Sequence, residues 1–166
     1  VTVLIDNNDI FQYNNHAIVF TLGDQMGSPP TINATVTNNV TNTPGNINTN
    51  FNGFHLNNGP VSTDSFSSCF NIFNNNFTGG GQGTVSPNNS DVRLRQRQGT
   101  SVLLPGYTGP ARDNGDLDVA EVITYLRPAG SGGLKNNTFG TGNANSVSTG
   151  GGYVNSPGGA ACSTPP

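Results

Sequence analysis

Residues 5–10 read IDNNDI, residues 36–40 read VTNNV and residues 72–77 read IFNNNF, a recurring pattern that we call the corner. Each copy places a pair of asparagines among apolar, strand-forming residues. The second asparagines of the pairs, 31 and 36 residues apart, are Asn8, Asn39 and Asn75. A strand-like return follows each copy, at 17–20, 53–56 and 91–94. Irregular spacing with a preserved pattern is typical of a solenoid whose turns vary in length while its strands do not.

Stacking of such coils gives the repeated asparagine a structural role. Equivalent positions of successive coils lie about 4.8 Å apart, so we expect Asn8, Asn39 and Asn75 to form a ladder of side-chain amides. Asparagine also tolerates the left-handed backbone that turns require. A set of ordinary hairpins turning at each asparagine pair is the alternative, but the shared return segments favour coils. The sequence therefore predicts an all-β, right-handed parallel β-helix, a solenoid of about three to four coils.

The segment after residue 98 differs from the predicted coils. Apolar residues recur at helical spacing over 117–126, acidic residues crowd its start, and Arg127 and Pro128 end it. Residues 134–139 (LKNNTF) keep the outline of the corner, so a degenerate fourth copy competes with a plain extended tail. We expect one structural unit, with coils over 1–98 and a C-terminal cap over 99–166 that contains one short helix near 117–126.

The start of the chain has strand character with no cap ahead of it. Without an initiator Met or a signal peptide, we expect a processed chain or a piece of a longer one. An uncovered end coil is an unpaired strand edge. We therefore predict a self-association edge at Val1, Val3 and Ile5, with copies of the chain or the remainder of a longer parent chain as the partner.

Composition narrows the function classes. Charged residues make up 9% of the chain, against about 25% in an average protein, and there are 26 asparagines and a net charge of −3. Six Lys plus Arg do not suit a nucleic-acid backbone, and no apolar run approaches the roughly 18 residues of a membrane span. The alternating Arg93, Arg95 and Arg97 predict either a small anion-binding stripe or a solvated strand face. Low charge and scarce lysine indicate an extracellular or cell-surface setting.

The two cysteines, Cys69 and Cys162, suit that setting. A disulfide between them persists in an oxidising compartment, whereas two reduced, buried thiols are the alternative. The bridge would tie the third strand cluster to the C-terminal tail and contribute about 2–4 kcal/mol.

Candidate metal and catalytic groups are sparse. A weak calcium candidate is the acidic group Asp113, Asp116, Asp118 and Glu121. Hard cations take several oxygen ligands close in sequence, but acids at a helix N-terminus explain the same pattern. His16 and His55 could be neighbours on adjacent coils, without an evident third ligand. With no Gly-x-Ser-x-Gly elbow either, we predict no enzyme and no cofactor.

The three corners resemble right-handed parallel β-helix repeats of the pectate-lyase-like type. From Cys69 to Cys162, the order CFNI at 69–72, RLRQ at 93–96, LPGY at 104–107, a short helix and a closing GGAAC is similar to the C-terminal region of large bacterial secreted or surface β-helix proteins. The resemblance implies an adhesin-like or structural role outside the cell, and it supplies no catalytic residue.

The resulting prediction is a non-catalytic extracellular structural module that assembles end to end as a filament, matrix or adhesin stalk. One alternative is a polysaccharide-binding or polysaccharide-cleaving β-helix domain, with an extracellular glycan as partner, where cleavage by hydrolysis needs paired carboxylates. The other is a terminal folding or secretion module of a giant surface protein.

Overall fold

The computed structural model describes residues 1–24, 31–45, 52–78, 90–97, 99–109, 119–140, 147–149 and 154–155. Strands dominate these residues, with little helix, so the predicted all-β class is confirmed. The strands are β1 (Thr2–Asp6), β2 (Asp9–Ile10), β3 (His16–Leu22), β4 (Ile32–Thr37), β5 (Val40–Thr41), β6 (Asn52–Asn58), β7 (Ser67–Phe73), β8 (Val92–Gln96), β9 (Ser101–Leu103), β10 (Val147–Thr149) and β11 (Val154–Asn155). The helical segments are α1 (Val119–Leu126) and a 3₁₀ turn (Ala129–Ser131).

The strands form three parallel sheets. The five-stranded sheet has the order β1-β4-β7-β9-β11, the four-stranded sheet β10-β8-β6-β3, and the two-stranded sheet β2-β5. Every pairing between these strands is parallel. Hairpins would pair antiparallel, so the alternative of hairpins turning at each asparagine pair is wrong.

The chain visits the sheets in a repeating order, in successive passes. The first pass comprises β1, β2 and β3, the second β4, β5 and β6, and the third β7 and β8. The next strands, β9 and β10, pair with β7 and β8 respectively. Each pass thus lies alongside the previous one.

Strand register brings the copies of the corner side by side. Ile5 lies opposite Val36, and Val36 lies opposite Ile72. Further along the corner, isolated bridges join Val40 to Asn76 and Asn76 to Thr138. Residues 134–139 therefore lie beside the third copy, which confirms the fourth-copy interpretation of that segment.

The first asparagine of each pair makes the turn. Left-handed backbone, with φ between 55° and 57°, recurs at Asn7, Asn38, Asn74 and Asn136. Asparagine is one of the few non-glycine residues that adopt this geometry readily. The second asparagine is buried in the second, third and fourth corners, at Asn39, Asn75 and Asn137.

Apolar side chains from successive passes stack in columns inside the molecule. Phe54 and Val92 lie opposite each other, as do Leu56 and Leu94, and all four are fully buried. Complete burial of such a side chain stabilises the fold by about 1.5–3 kcal/mol. Phenylalanine rings also pack in the core, and the ring centroids of Phe20 and Phe70 are 5.0 Å apart.

Sheet pairing continues beyond residue 98, where we expected the coils to end. Strand β9 extends the five-stranded sheet, and β10 and β11 come from the segment predicted as an extended tail. Helix α1 is found within the predicted 117–126 range. It lies between β9 and the fourth corner, so it is an insertion in the fourth pass and does not follow the last strand.

Candidate functional site: the asparagine column and the open strand edge

The second asparagines form a continuous hydrogen-bonded column. The Nδ2 of Asn8 donates to Oδ1 of Asn39 at 2.8 Å, Asn39 donates likewise to Asn75 at 2.9 Å, and Asn75 to Asn137 at 3.0 Å. Each donor's backbone N–H reaches the same Oδ1 atom, at 3.0–3.1 Å. The structure thus brings the three predicted asparagines together and adds Asn137 as a fourth member.

Each inner amide also binds the backbone of its own and the preceding pass. The Nδ2 of Asn39 donates to the carbonyls of Thr37 and Ile5 at 2.8 and 3.0 Å, and Asn75 repeats this with Phe73 and Val36 at 2.9 Å each. Asn39 and Asn75 are completely buried. A buried amide without partners would destabilise the fold, whereas these hold three strands in register.

The column has a direction and differs at its two ends. At the last member, the backbone N–H and the Nδ2 of Asn137 both donate to the carbonyl of Leu126, at 2.9 Å each. This carbonyl, at the end of α1, takes the place that a further asparagine would occupy. At the first member, no residue in the described part of the chain donates to Oδ1 of Asn8. The column is therefore closed by α1 at one end and open at the other.

Two further hydrogen bonds join residues of the left-handed turns outside the column. The Nδ2 of Asn38 donates to Oδ1 of Asp6 at 2.9 Å, and the Nδ2 of Asn136 donates to Oδ1 of Asn74 at 3.0 Å. These contacts are exposed to solvent, so each contributes less than an inner bond. They fix the relative position of the left-handed turns.

The open end of the column coincides with the open edges of all three sheets. Strands β1, β2 and β3 each lie at the end of their sheet. Among the predicted edge residues, Val1 is 77% exposed, and Val3 and Ile5 are partly buried against the core. Nearby, Leu4 and Phe11 are 50% and 62% exposed. Within the described part of the chain, the first pass thus combines a strand edge that has no neighbouring strand with incompletely covered apolar side chains.

The two histidines lie in contact on adjacent strands of the four-stranded sheet. His55 Nδ1 and His16 Nε2 are 2.8 Å apart and share a hydrogen bond. Burial, then the charge of Arg93, lowers the pKa of His16 to about 4. Burial, then His16, Arg93 and Arg95, lowers that of His55 to about 3. Both imidazoles are consequently neutral at pH 7, and the structure brings no third metal ligand to them among the described residues.

The calcium candidate falls mostly outside the described residues, where Asp113, Asp116 and Asp118 lie. Glu121 is on α1 and accepts a hydrogen bond from the Tyr107 hydroxyl at 3.4 Å. Within the described ranges, no three His, Cys, Asp or Glu side chains are grouped to hold a metal ion. Calcium binding at 113–121 stays a prediction.

Only one cysteine of the predicted disulfide lies among the described residues. Cys69 is buried in β7, whereas Cys162 lies outside the described residues. The pairing of Cys69 with Cys162 stays a prediction.

A cleft of about 350 Å³ opens beside α1. Its lining includes Tyr107, Glu121, Thr124 and Tyr125. Among the described residues that line it, Glu121 is the only carboxylate, whereas glycoside hydrolysis generally uses a pair. The described part of this cleft does not assemble the machinery for that reaction.

Sequence reasoning missed a buried carboxylate. Asp91 is completely buried, and its Oδ2 accepts from the backbone N–H of Gly140 at 2.8 Å. Burial raises the pKa of Asp91 to about 7, against a lowering by that hydrogen bond. Asp91 stood only in a predicted return strand, and no local pattern marked it as buried and charged.

No helix among the described residues is both long enough and apolar enough to cross a bilayer. The chain has no match among protein-family models, curated proteins or solved structures. Any function proposed for it therefore rests on its own residues and geometry.

Proposed function

We propose that this chain is a non-catalytic structural module, a right-handed parallel β-helix that joins a second copy of itself through its first-pass end. The observation that supports this most is the difference between the two ends of the asparagine column. One end of the column is closed by the carbonyl of Leu126. The other end is open and coincides with the sheet edges β1, β2 and β3, whereas the opposite edges of the two larger sheets, β10 and β11, are strands of only three and two residues.

The solenoid assignment rests on the repeated order of strands. Each pass adds one strand to the same edge of the five-stranded and four-stranded sheets in turn. Connections between parallel strands of one sheet are right-handed in nearly all proteins, which supports the handedness. Membership of the pectate-lyase-like class is part of the same proposal.

Backbone groups on β1 are available for a new strand. The carbonyl of Val1 accepts from Asn33 at 2.9 Å, and the N–H of Asn7 donates to Thr37 at 3.2 Å, so odd-numbered residues bond to β4. Because the backbone groups of successive residues in a strand point to opposite neighbours, the N–H and C=O groups of Thr2 and Leu4 and the N–H of Asp6 face the open side. The carbonyl of Asp6 already accepts from Nδ2 of Asn8 at 3.0 Å. The strand carries no Lys or Pro of the kind that protects edges.

The closed end limits how copies can meet. Since α1 occupies the end of the column at Asn137, an open end cannot continue the column from the α1 end of another copy. Two open ends facing each other form an isologous contact, which closes as a pair. Growth into a filament, matrix or stalk then requires a second contact, and the remainder of a parent chain could use the same edge.

The extracellular or cell-surface setting belongs to this proposal and is supported by the low charge of the chain. A disulfide between Cys69 and Cys162 would suit that setting.

Sedimentation equilibrium of the purified chain across a wide concentration range tests the proposal. We expect reversible pairing that is abolished by Leu4→Pro, which removes an outward-facing N–H without breaking a bond to β4. The matched control is Leu4→Ala, which loses the same side chain but keeps the N–H and should still pair. Wild-type chain that stays monomeric at every concentration would overturn the proposal, and so would equal pairing of the two variants.

A further inference from the structure

The outer face of the four-stranded sheet carries a strip of three arginines, two on β8 and the third directly after it. Arg93, Arg95 and Arg97 alternate with residues that point into the core, so they share one face. They are half of the chain's six Lys plus Arg. Strand geometry places successive members about 7 Å apart at the backbone. We call these three residues the basic strip.

Among the described residues, the basic strip has no counter-ion. No carboxylate in the described part of the chain forms an ion pair with it. Arg97 donates from Nη2 to Oδ1 of Asn57 at 2.9 Å. The Nε atoms of all three arginines are buried and bond to no described residue. An arginine presents Nε–H and Nη–H as a two-donor edge, so three such edges are incompletely used.

The like charges act on one another. Burial lowers the pKa of Arg93, with further lowering by Arg95 and Arg97, and burial followed by Arg97 lowers that of Arg95. The neighbouring His55 lies opposite Arg93 in the register. With both histidines neutral at pH 7, the positive charge of this face comes from the arginines. An anion placed here would relieve the repulsion and satisfy the unused donors.

We propose that the basic strip is a binding site for a phosphate or sulfate group, held between Arg93 and Arg95 with Arg97 extending the site. A tetrahedral oxyanion presents acceptor oxygens in several directions, so it can accept from two neighbouring guanidinium groups at once. A planar carboxylate presents its two oxygens in one plane and matches one guanidinium edge. The net charge of −3 for the whole chain disfavours a long nucleic acid as the source.

Titration with inorganic phosphate and with inorganic sulfate, at ionic strength held constant with chloride, tests the site. We expect saturable binding, seen as shifts of the imidazole NMR signals of the only two histidines, His16 and His55. Arg93→Gln and Arg95→Gln each remove a charged donor pair and should weaken binding by about tenfold or more. Arg127→Gln makes the same change at an exposed position after α1 and should leave binding unchanged.

A sulfated polymer, dextran sulfate, distinguishes the source of the group. Affinity per sulfate equal to that of the free ion identifies an inorganic anion as the ligand. Affinity at least about tenfold higher identifies ester groups along a chain that engage more than two arginines. The proposal is overturned if neither ion nor polymer binds saturably, or if Arg93→Gln and Arg127→Gln weaken binding equally. Thermal unfolding of each variant without ligand verifies that it is folded.

Discussion

At the scale of single residues, the two asparagines of each corner have different structural roles. The first adopts the left-handed backbone at Asn7, Asn38, Asn74 and Asn136, and the second supplies the amide of the column. One side chain thereby satisfies its own buried groups and links neighbouring passes. The asparagines recur as a pair because one makes the turn and the other stacks on its neighbours. Either role alone would need only one asparagine.

Replacing Asn75 by Ala should lower the free energy of unfolding by about 2–4 kcal/mol, because the carbonyls of Val36 and Phe73 lose their side-chain donor inside the core. Asn8→Ala is the matched control. Its side chain is exposed and receives no bond from a described residue, so we expect a loss of about 1 kcal/mol or less. Urea unfolding curves measure both values, and equal losses would contradict a column stabilised from within.

Asp91 should make stability depend on pH. Its pKa of about 7 in the folded chain exceeds the unfolded value near 3.8, so between these pH values the folded state binds more protons. The free energy of unfolding contributed by Asp91 therefore falls as pH rises from about 4 to 7 and levels off above. Tyr13, whose pKa is raised to about 12 chiefly by burial, stays neutral throughout this window.

The variant Asp91→Asn isolates that effect from the titration of other groups. The amide removes the buried charge and can still accept from Gly140. Above pH 7 we expect the variant to be more stable than the wild type by about 2–4 kcal/mol, with the difference vanishing near pH 4. Thermal unfolding of both proteins from pH 4 to 8 measures this difference. A constant difference across that range would show that Asp91 does not titrate as described.

At the scale of elements, β6 packs tightly at Gly53. A Cβ built there would lie 2.4 Å from Oγ1 of Thr41, 3.0 Å from Phe77 and 3.2 Å from the carbonyl of Asp91. We expect Gly53→Ala to cost about 1–3 kcal/mol because the neighbouring passes must move apart. Gly130→Ala in the 3₁₀ turn meets no atom within 4 Å and should change stability little. Chemical denaturation of the two variants checks this difference.

Local pattern predicted the elements whose residues repeat. The corner pairs, the return strands and the helix near 117–126 all depend on nearby residue types, and each was found. The position of α1 was not predictable in this way, because its insertion between β9 and the fourth corner depends on contacts such as Asn137 with Leu126. The burial of Asp91 was not predictable either, and its carboxylate accepts a hydrogen bond from Gly140, 49 residues further along the chain. The alternation of Arg93, Arg95 and Arg97 predicted their common face. Only the folded structure could show that no described carboxylate pairs with them.

At the scale of the whole molecule, stability should vary along the stack of passes. The inward residues of the second pass are fully buried at Ala34 and Val36, whereas their first-pass neighbours Val3 and Ile5 are only partly buried. Stacked repeats depend on nearest neighbours, and the first pass has a described neighbour on one side. A second copy on the open edge would supply the other side.

Hydrogen exchange of the monomeric Leu4→Pro variant should therefore be graded. We expect the amide protons of β3 to exchange at least about tenfold faster than those of β6, because local opening of the end pass leaves the remaining stack intact. In wild-type chain at pairing concentrations, the exchange of β3 should slow toward that of β6, since the partner covers the same edge. Mass-spectrometric exchange on peptides covering the two strands gives both rates. Uniform protection of β3 and β6 in the monomer would mean that the passes unfold as one unit and that the open end needs no partner for its stability.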